Sequence, residues 1–291
     1  MGRLVVEKAT EAERGCFMKM ENVPLIGWFA SRCRALARNS FEMNRRLRSI
    51  DVQLKMMRMQ DGVFSFPYGE MSLKMYLPYA GIDSIQTQIV DAGAFWEQPQ
   101  LERVRRYVKP GAVVADCGAN IGNHTLFFAR VCEAGKIYAF EPQRSCVDIL
   151  TRNLELNDAQ KRVEVCPLVL GAKSGKASVA HREAGNVGGT SFVDDASGMI
   201  DMRTLDSFNL ERLDFLKIDV EGAHYDLLMG ARDTLKRCAP VIWVEMFANA
   251  HGDDLYDHDR EWVLPRRFLD ECGYELKERL SETDFLYVRK S

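Results

Sequence analysis

The sequence predicts an α/β fold: an open sheet with helices on both faces, preceded by a helical extension and a β-hairpin. Three observations lead there. Short apolar runs recur and close on acids, at Asp116, Glu141, Asp219 and Glu245. Amphipathic helical patterns separate them, such as Val147, Leu150 and Leu154. The first run passes through Gly118 and Gly122 into a further apolar helical pattern. Strand, glycine turn and helix is how open α/β sheets hold nucleotide-like ligands at the carboxyl edge.

The elements follow in order. Met43, Leu47, Ile50, Leu54 and Met57 are spaced 4, 3, 4 and 3 apart, a heptad seam on a helix that Asp61-Gly62 ends. It reads as a helix packed on its own domain, a homodimer contact through 43–57, or a basic helix resting on a membrane surface. Residues 63–66 and 71–77 predict a hairpin around Pro67-Tyr68-Gly69. A helix over 98–108 buries Leu101, Val104 and Val108, and Pro110-Gly111 turns into the first central strand. Strands are expected at 113–116, 137–140, 163–169, 215–219 and 241–245. Residues 171–200 are rich in Gly, Ser and Ala, and 186–191 reads as an irregular loop or hairpin tip. A helix around 260–272 stops at Gly273, and 274–290 supplies two more strands. The domain division is 1–60, an extension, and 61–291, the α/β domain.

Composition narrows the function classes. The chain has 291 residues and a net charge of −3, so no whole-protein attraction to nucleic acid is expected. Residues 31–58 are the exception, with eight basic residues against Glu42 and Asp51. Eight scattered cysteines without a Cys-x-x-Cys pair argue against a zinc site and for reduced thiols in a cytoplasmic protein. No transmembrane segment, secretory signal or myristoylation motif is evident.

The ligand follows from the acids. A dinucleotide fingerprint is Gly-x-Gly-x-x-Gly, whereas here Gly118 and Gly122 follow Asp116, which would repel a pyrophosphate. S-adenosylmethionine has no phosphate and carries a sulfonium and an ammonium, and Glu141 could accept both hydroxyls of its ribose. One strand-end acid could be a helix N-cap; four at one sheet edge point to a ligand crevice.

Asp116-Cys-Gly-Ala-Asn-Ile-Gly-Asn-His-Thr125, Phe140-Glu-Pro142, Thr204-Leu-Asp206 and Leu216-Lys-Ile-Asp-Val-Glu-Gly222 occur in this order. Together they resemble the FkbM-type S-adenosylmethionine-dependent methyltransferases over roughly 80–290, with residues 1–60 outside. Gly93-Ala-Phe-Trp-Glu97, Gly230-Ala231 and Cys272-Gly-Tyr274 also fit. The resemblance implies a class I methyltransferase (Rossmann-like) fold, with a seven-stranded sheet whose last strand runs antiparallel. It also implies O-methylation of a sugar or natural-product hydroxyl. Cofactor contacts are expected from Asp116, Gly118, Asn120, Gly122, Asn123, Thr125, Glu141 and Pro142. His224 departs from the pattern, many members having Glu there, and reads as a general base or as a solvent-facing residue on a first helical turn.

An aliphatic hydroxyl needs a base or a metal to assist it. Candidates are Asp219, Glu221, His224 and Glu245, whose three carboxylates could raise one another's pKa or bind Mg²⁺; the metal-free version is preferred. Trp96, Glu97 and His251 are candidate acceptor contacts, with 251–254 and 257–259 as a polar lid or a solvated acidic loop. Two readings from other classes stay open. One is an NAD(P)-dependent oxidoreductase, disfavoured by Asp116. The other is a non-catalytic adaptor working through its basic helix.

Overall fold

The computed structural model describes residues 24–182, 185–186, 188–247 and 258–290. The chain divides after Leu54, and the two parts stand as separate units. The first contributes a long helix, α1 (Pro24–Met57), which runs a few residues past that division. Leu36, Met43, Leu47, Ile50 and Leu54 are exposed along it. Among the described residues no helix is long and apolar enough to cross a membrane.

The second unit begins with the expected hairpin, β1 (Val63–Tyr68) and β2 (Met71–Tyr76), joined by Gly69 at φ +58°. Its strands β3 (Val113–Cys117), β4 (Lys136–Phe140), β5 (Val163–Cys166), β10 (Phe215–Ile218) and β11 (Val241–Glu245) lie parallel. Strands β12 (Tyr274–Arg279) and β13 (Asp284–Arg289) complete a seven-stranded sheet in the order β12-β13-β11-β10-β3-β4-β5. The final strand, β13, is antiparallel to both its neighbours, as the resemblance implied.

The strand order reverses between β3 and β10. The chain leaves the centre through β4 and β5, then returns to build the other half. Ligand crevices open at such switch points, beyond the carboxyl ends of the strands. Both faces of the sheet are covered. Ala115, Cys117, Leu216, Ile218, Ile242 and Val244 pack against Leu227, Leu228, Leu235, Phe268 and Leu269 of the later helices.

One expectation needs correction, and the stretch 171–200, read only as a loop or hairpin tip at 186–191, holds more structure than that. The run 163–169 is not one strand, because Pro167 cannot donate to a ladder and the chain leaves the sheet there. Val169–Leu170 becomes β6 of a second sheet. Residues 171–200 hold that sheet, with β7 (Gly175–Arg182), β8 (Thr190–Asp194) and β9 (Ile200–Arg203) in the order β6-β9-β7-β8. A bulge between Val179 and His181 breaks the alternation that would have marked β7 as a strand.

Candidate active site

The glycine turn after β3 is shaped by crowding. Gly118 has φ +81°, and a Cβ there would stand 1.7 Å from the Asp219 carbonyl oxygen. The ends of β3 and β10 approach so closely that only glycine fits. The Gly118 and Ala119 amides both donate to the Phe140 carbonyl at 3.0 Å, tying the turn to β4. The helix Asn123–Arg130 then starts from Gly122 at φ +83°.

Glu141 faces this turn. Its Oε2 accepts from the Asn120 amide at 2.9 Å and its Oε1 from the Gln143 amide at 2.8 Å. Burial raises the carboxyl to about 7, against the two amide donors, which lower it, and with further upward pushes from Asp116 and Asp219. Each oxygen keeps a lone pair for a ligand hydroxyl. Gly118, Asn120, Glu141, Leu168, Phe192 and Asp219 are among the residues around one cleft. The buried Oδ1 of Asn120, a residue that lines it, has no hydrogen-bond partner among the described residues. Pro142 and Glu221 line it too.

The second half of the site stands on Lys217. Its ammonium is buried inside the sheet, 2.8 Å from Asp219 Oδ2 and 3.8 Å from Asp116 Oδ1. Burial alone would lower its pKa, but the two carboxylates reverse this and hold it above the ordinary lysine value. Asp219 is pushed up by burial and pulled down further by Lys217 and by a hydrogen bond with Glu245, and so stays well below the usual carboxylate range. Glu245 is driven well above it by burial and by Asp219. The Lys217 ammonium against Asp219 thus favours the ionised form there and leaves the proton better held on Glu245. Thr283 Oγ1 donates to Glu245 at 3.3 Å.

Further groups back this cluster. His124 Nε2 lies 3.2 Å from Glu97 Oε2, and its ring meets Trp243 edge-on at 5.1 Å. Trp243 Nε1 donates to Asp284 at 2.7 Å. Glu97 is held at φ +57°, a strained conformation for a residue with a side chain.

Several expected contacts serve the frame instead of the cleft. Asp116 is fully buried behind the turn, accepting from Thr125 Oγ1 at 2.5 Å. Its charge is met by Lys217, so it braces strands and does not face a ligand; Thr125 goes with it. Asn123 clasps the Trp96 backbone, donating to its carbonyl and accepting from its amide, both at 3.0 Å. Gly122 packs under Leu150. His224 is neither in the cleft nor in solvent: it is buried with Nδ1 2.9 Å from Glu261 Oε2, which is itself buried. Trp96 and Glu97 do not line the cleft. His251, with most of the proposed lid, lies outside the described residues.

Among the described residues no group of three or more His, Cys, Asp or Glu is placed to hold a metal ion. Asp219, Glu221 and Glu245 thus do not form the Mg²⁺ site considered above. The cation beside Asp219 is the Lys217 ammonium.

Lys217 is the main residue that the sequence reading missed. The signal was present, a charge inside the apolar run 215–218, but a lone lysine in a strand names no partner. Phe192 was missed because no strand was read in the Gly-, Ser- and Ala-rich stretch 171–200.

Strand order, glycine turn and the acid after β4 define a class I methyltransferase fold. The chain belongs to the FkbM methyltransferase domain family, whose model matches residues 116–276. It is similar to Methyltransferase sdnD of Sordaria araneosa, 30% identical over 153 residues, covering 40% of this chain and 59% of that protein. Methyltransferase 1 of Beauveria bassiana is 27% identical over 146 residues, covering 41% of this chain and 58% of that one. The chain thus spans under two thirds of the length of these relatives. A solved FkbM methyltransferase from Methylobacillus flagellatus KT is 17% identical with a TM-score of 0.43, covering 70% of this chain and 52% of that one.

Proposed function

We propose that this chain transfers a methyl group from S-adenosylmethionine to a hydroxyl of a carbohydrate or natural-product small molecule. The observation that carries the reading is the pairing across one cleft of Glu141, with lone pairs to spare, and Asp219, held ionised. Family membership supports methyl transfer over hydride transfer and sets the oxidoreductase reading aside.

The residues fit the cofactor. Glu141 would accept the ribose hydroxyls, the orphan Asn120 Oδ1 would take a further donor, and Leu168, Phe140 and Phe192 offer apolar walls to the base. When bound, S-adenosylmethionine supplies a methyl group already activated on a sulfonium. What remains for the protein is to hold an acceptor oxygen in line and to take its proton.

Asp219 suits that task despite its low proton affinity. As the acceptor oxygen gains a methyl group, its proton becomes far more acidic than any carboxylic acid. A weak base therefore suffices, provided that it is ionised and in place. Lys217 and Glu245 secure both conditions, the first by charge and the second by donating its retained proton to Asp219. Glu221 adds a second acceptor at the cleft for orienting hydroxyls. A cytoplasmic setting fits the free thiols of Cys117, Cys132, Cys146, Cys166, Cys238 and Cys272.

The test is calorimetric titration with S-adenosylhomocysteine and NAD⁺, with Glu141→Ala as control. A mass-spectrometric screen of hydroxylated and aminated acceptors follows. Micromolar binding of the thioether, lost in the variant, with methyl gain on a hydroxyl supports the proposal. Methyl gain only on amines overturns the acceptor class. No thioether binding by folded protein overturns the whole and leaves the adaptor reading.

A further inference from the structure

We infer that α1 is one half of a parallel, two-stranded coiled coil whose other half is a second copy of this chain. The helix has 34 residues, about 50 Å at the α-helical rise. Leu36, Ser40, Met43, Leu47, Ile50, Leu54 and Met57 keep an alternating spacing of 4 and 3 across three heptads. The apolar members of this stripe are 48–82% exposed. A stripe two residues wide per heptad is the width of a coiled-coil seam, narrower than the apolar face of a helix that lies in a lipid surface.

Charge selects the occupant. With Leu47 and Leu54 at a positions and Met43, Ile50 and Met57 at d, the flanking g positions are Asn39, Arg46 and Gln53. The flanking e positions are Asn44, Asp51 and Arg58. In a parallel pair each g residue faces the e residue five places on in the other chain. Arg46 then meets Asp51 of the partner subunit, twice by symmetry, and the remaining pairs are Asn39 with Asn44 and Gln53 with Arg58. No like charges oppose across the seam. An antiparallel pair joining Asp51 to Arg58 would overlap only over the last turns of the helix. Arg38, Arg45, Arg48 and Lys55 fall at the outward b and f positions, away from the interface.

The experiment is light scattering on the full chain across the micromolar range, with seam and charge variants. Expected are a mass of two chains, and one chain for Leu47→Glu with Leu54→Glu at an unchanged melting temperature of the α/β unit. Arg46→Asp should weaken the dimer about tenfold, and adding Asp51→Arg should restore it. Leu47→Cys in a Cys33→Ser background should form an interchain disulfide under mild oxidation, since a positions face each other only in the parallel arrangement. A monomer throughout, a dimer indifferent to the Leu47 and Leu54 changes, or a monomer that binds phosphatidylserine vesicles overturns the inference. Failure of the charge reversal to restore pairing, or of the disulfide to form, overturns the parallel register.

Discussion

Lys217 Nζ stands 2.8 Å from Asp219 Oδ2 on a strand whose other residues are all buried and apolar. The parallel register sets Lys217 beside Asp116 on one side and Trp243 on the other. One ammonium thus compensates an acid buried in the frame and an acid at the cleft. Its loss would be felt in both places.

Lys217→Met should therefore cost about 3–5 kcal/mol of stability, because Asp116 is left as an uncompensated buried charge. The same change removes the main pull that keeps Asp219 ionised. Asp219 then protonates at higher pH, so the acid limb of the kcat/KM profile should move to higher pH. S-adenosylhomocysteine affinity should change far less. Equilibrium unfolding and a pH–rate profile check the two halves.

Glu141 makes the cofactor side pH-dependent. Its carboxyl titrates at about 7 in the free protein, and ligand hydroxyls donate to the ionised form. Below 7, binding must first expel a proton; above 7 it need not. S-adenosylhomocysteine affinity should rise from pH 6 to about 7.5 and then level off. Glu141→Gln should bind about 10–100-fold more weakly and without that slope, as read by calorimetry at several pH values.

Gly118→Ala should be among the costliest single changes. The added methyl meets the Asp219 carbonyl at 1.7 Å, and main chain cannot swing aside as a side-chain tip can. The left-handed backbone adds its own strain. A loss of about 3 kcal/mol or more is expected, measured as a fall in melting temperature with weakened ligand binding.

His224→Gln distinguishes frame from chemistry. His224 is closed off with Glu261, so the change should lower stability by about 1–3 kcal/mol. It should leave kcat within a few-fold. A loss of kcat of several hundredfold at retained stability would put His224 back among the catalytic groups.

The central strands were legible because parallel strands buried on both faces read as unbroken apolar runs, as at 241–244. Glu141 and Asp219 were legible because an acid at the end of such a run has few structural uses. Asp116 looked the same in sequence, yet it is spent on Lys217 and Thr125. The difference lies in register, which sets Lys217 beside it from 101 residues away. His224 was ambiguous for a similar reason, its partner Glu261 arriving from a distant helical segment. The second sheet was hidden because β6 has only two residues and β7, though long, carries Gly175, Lys176 and Ser178 among few large apolar residues.

The hairpin β1–β2 is fastened to the rest of its unit by amides that touch only its main chain. Asn157 accepts from the Lys74 amide and donates to the Lys74 carbonyl; Asn153 accepts from the Tyr76 amide and donates to the Ile121 carbonyl. Two asparagines thus stand in for a missing third strand and close an edge that would otherwise be open to another chain. Such a fastening reads backbone, so the hairpin's solvent-facing residues are free to drift while its two anchors are not. The family match begins at 116, after the hairpin that these two asparagines hold. A truncation at the match boundary would remove the Lys74 and Tyr76 amides from which the Asn157 and Asn153 side-chain oxygens accept, and would uncover both side chains.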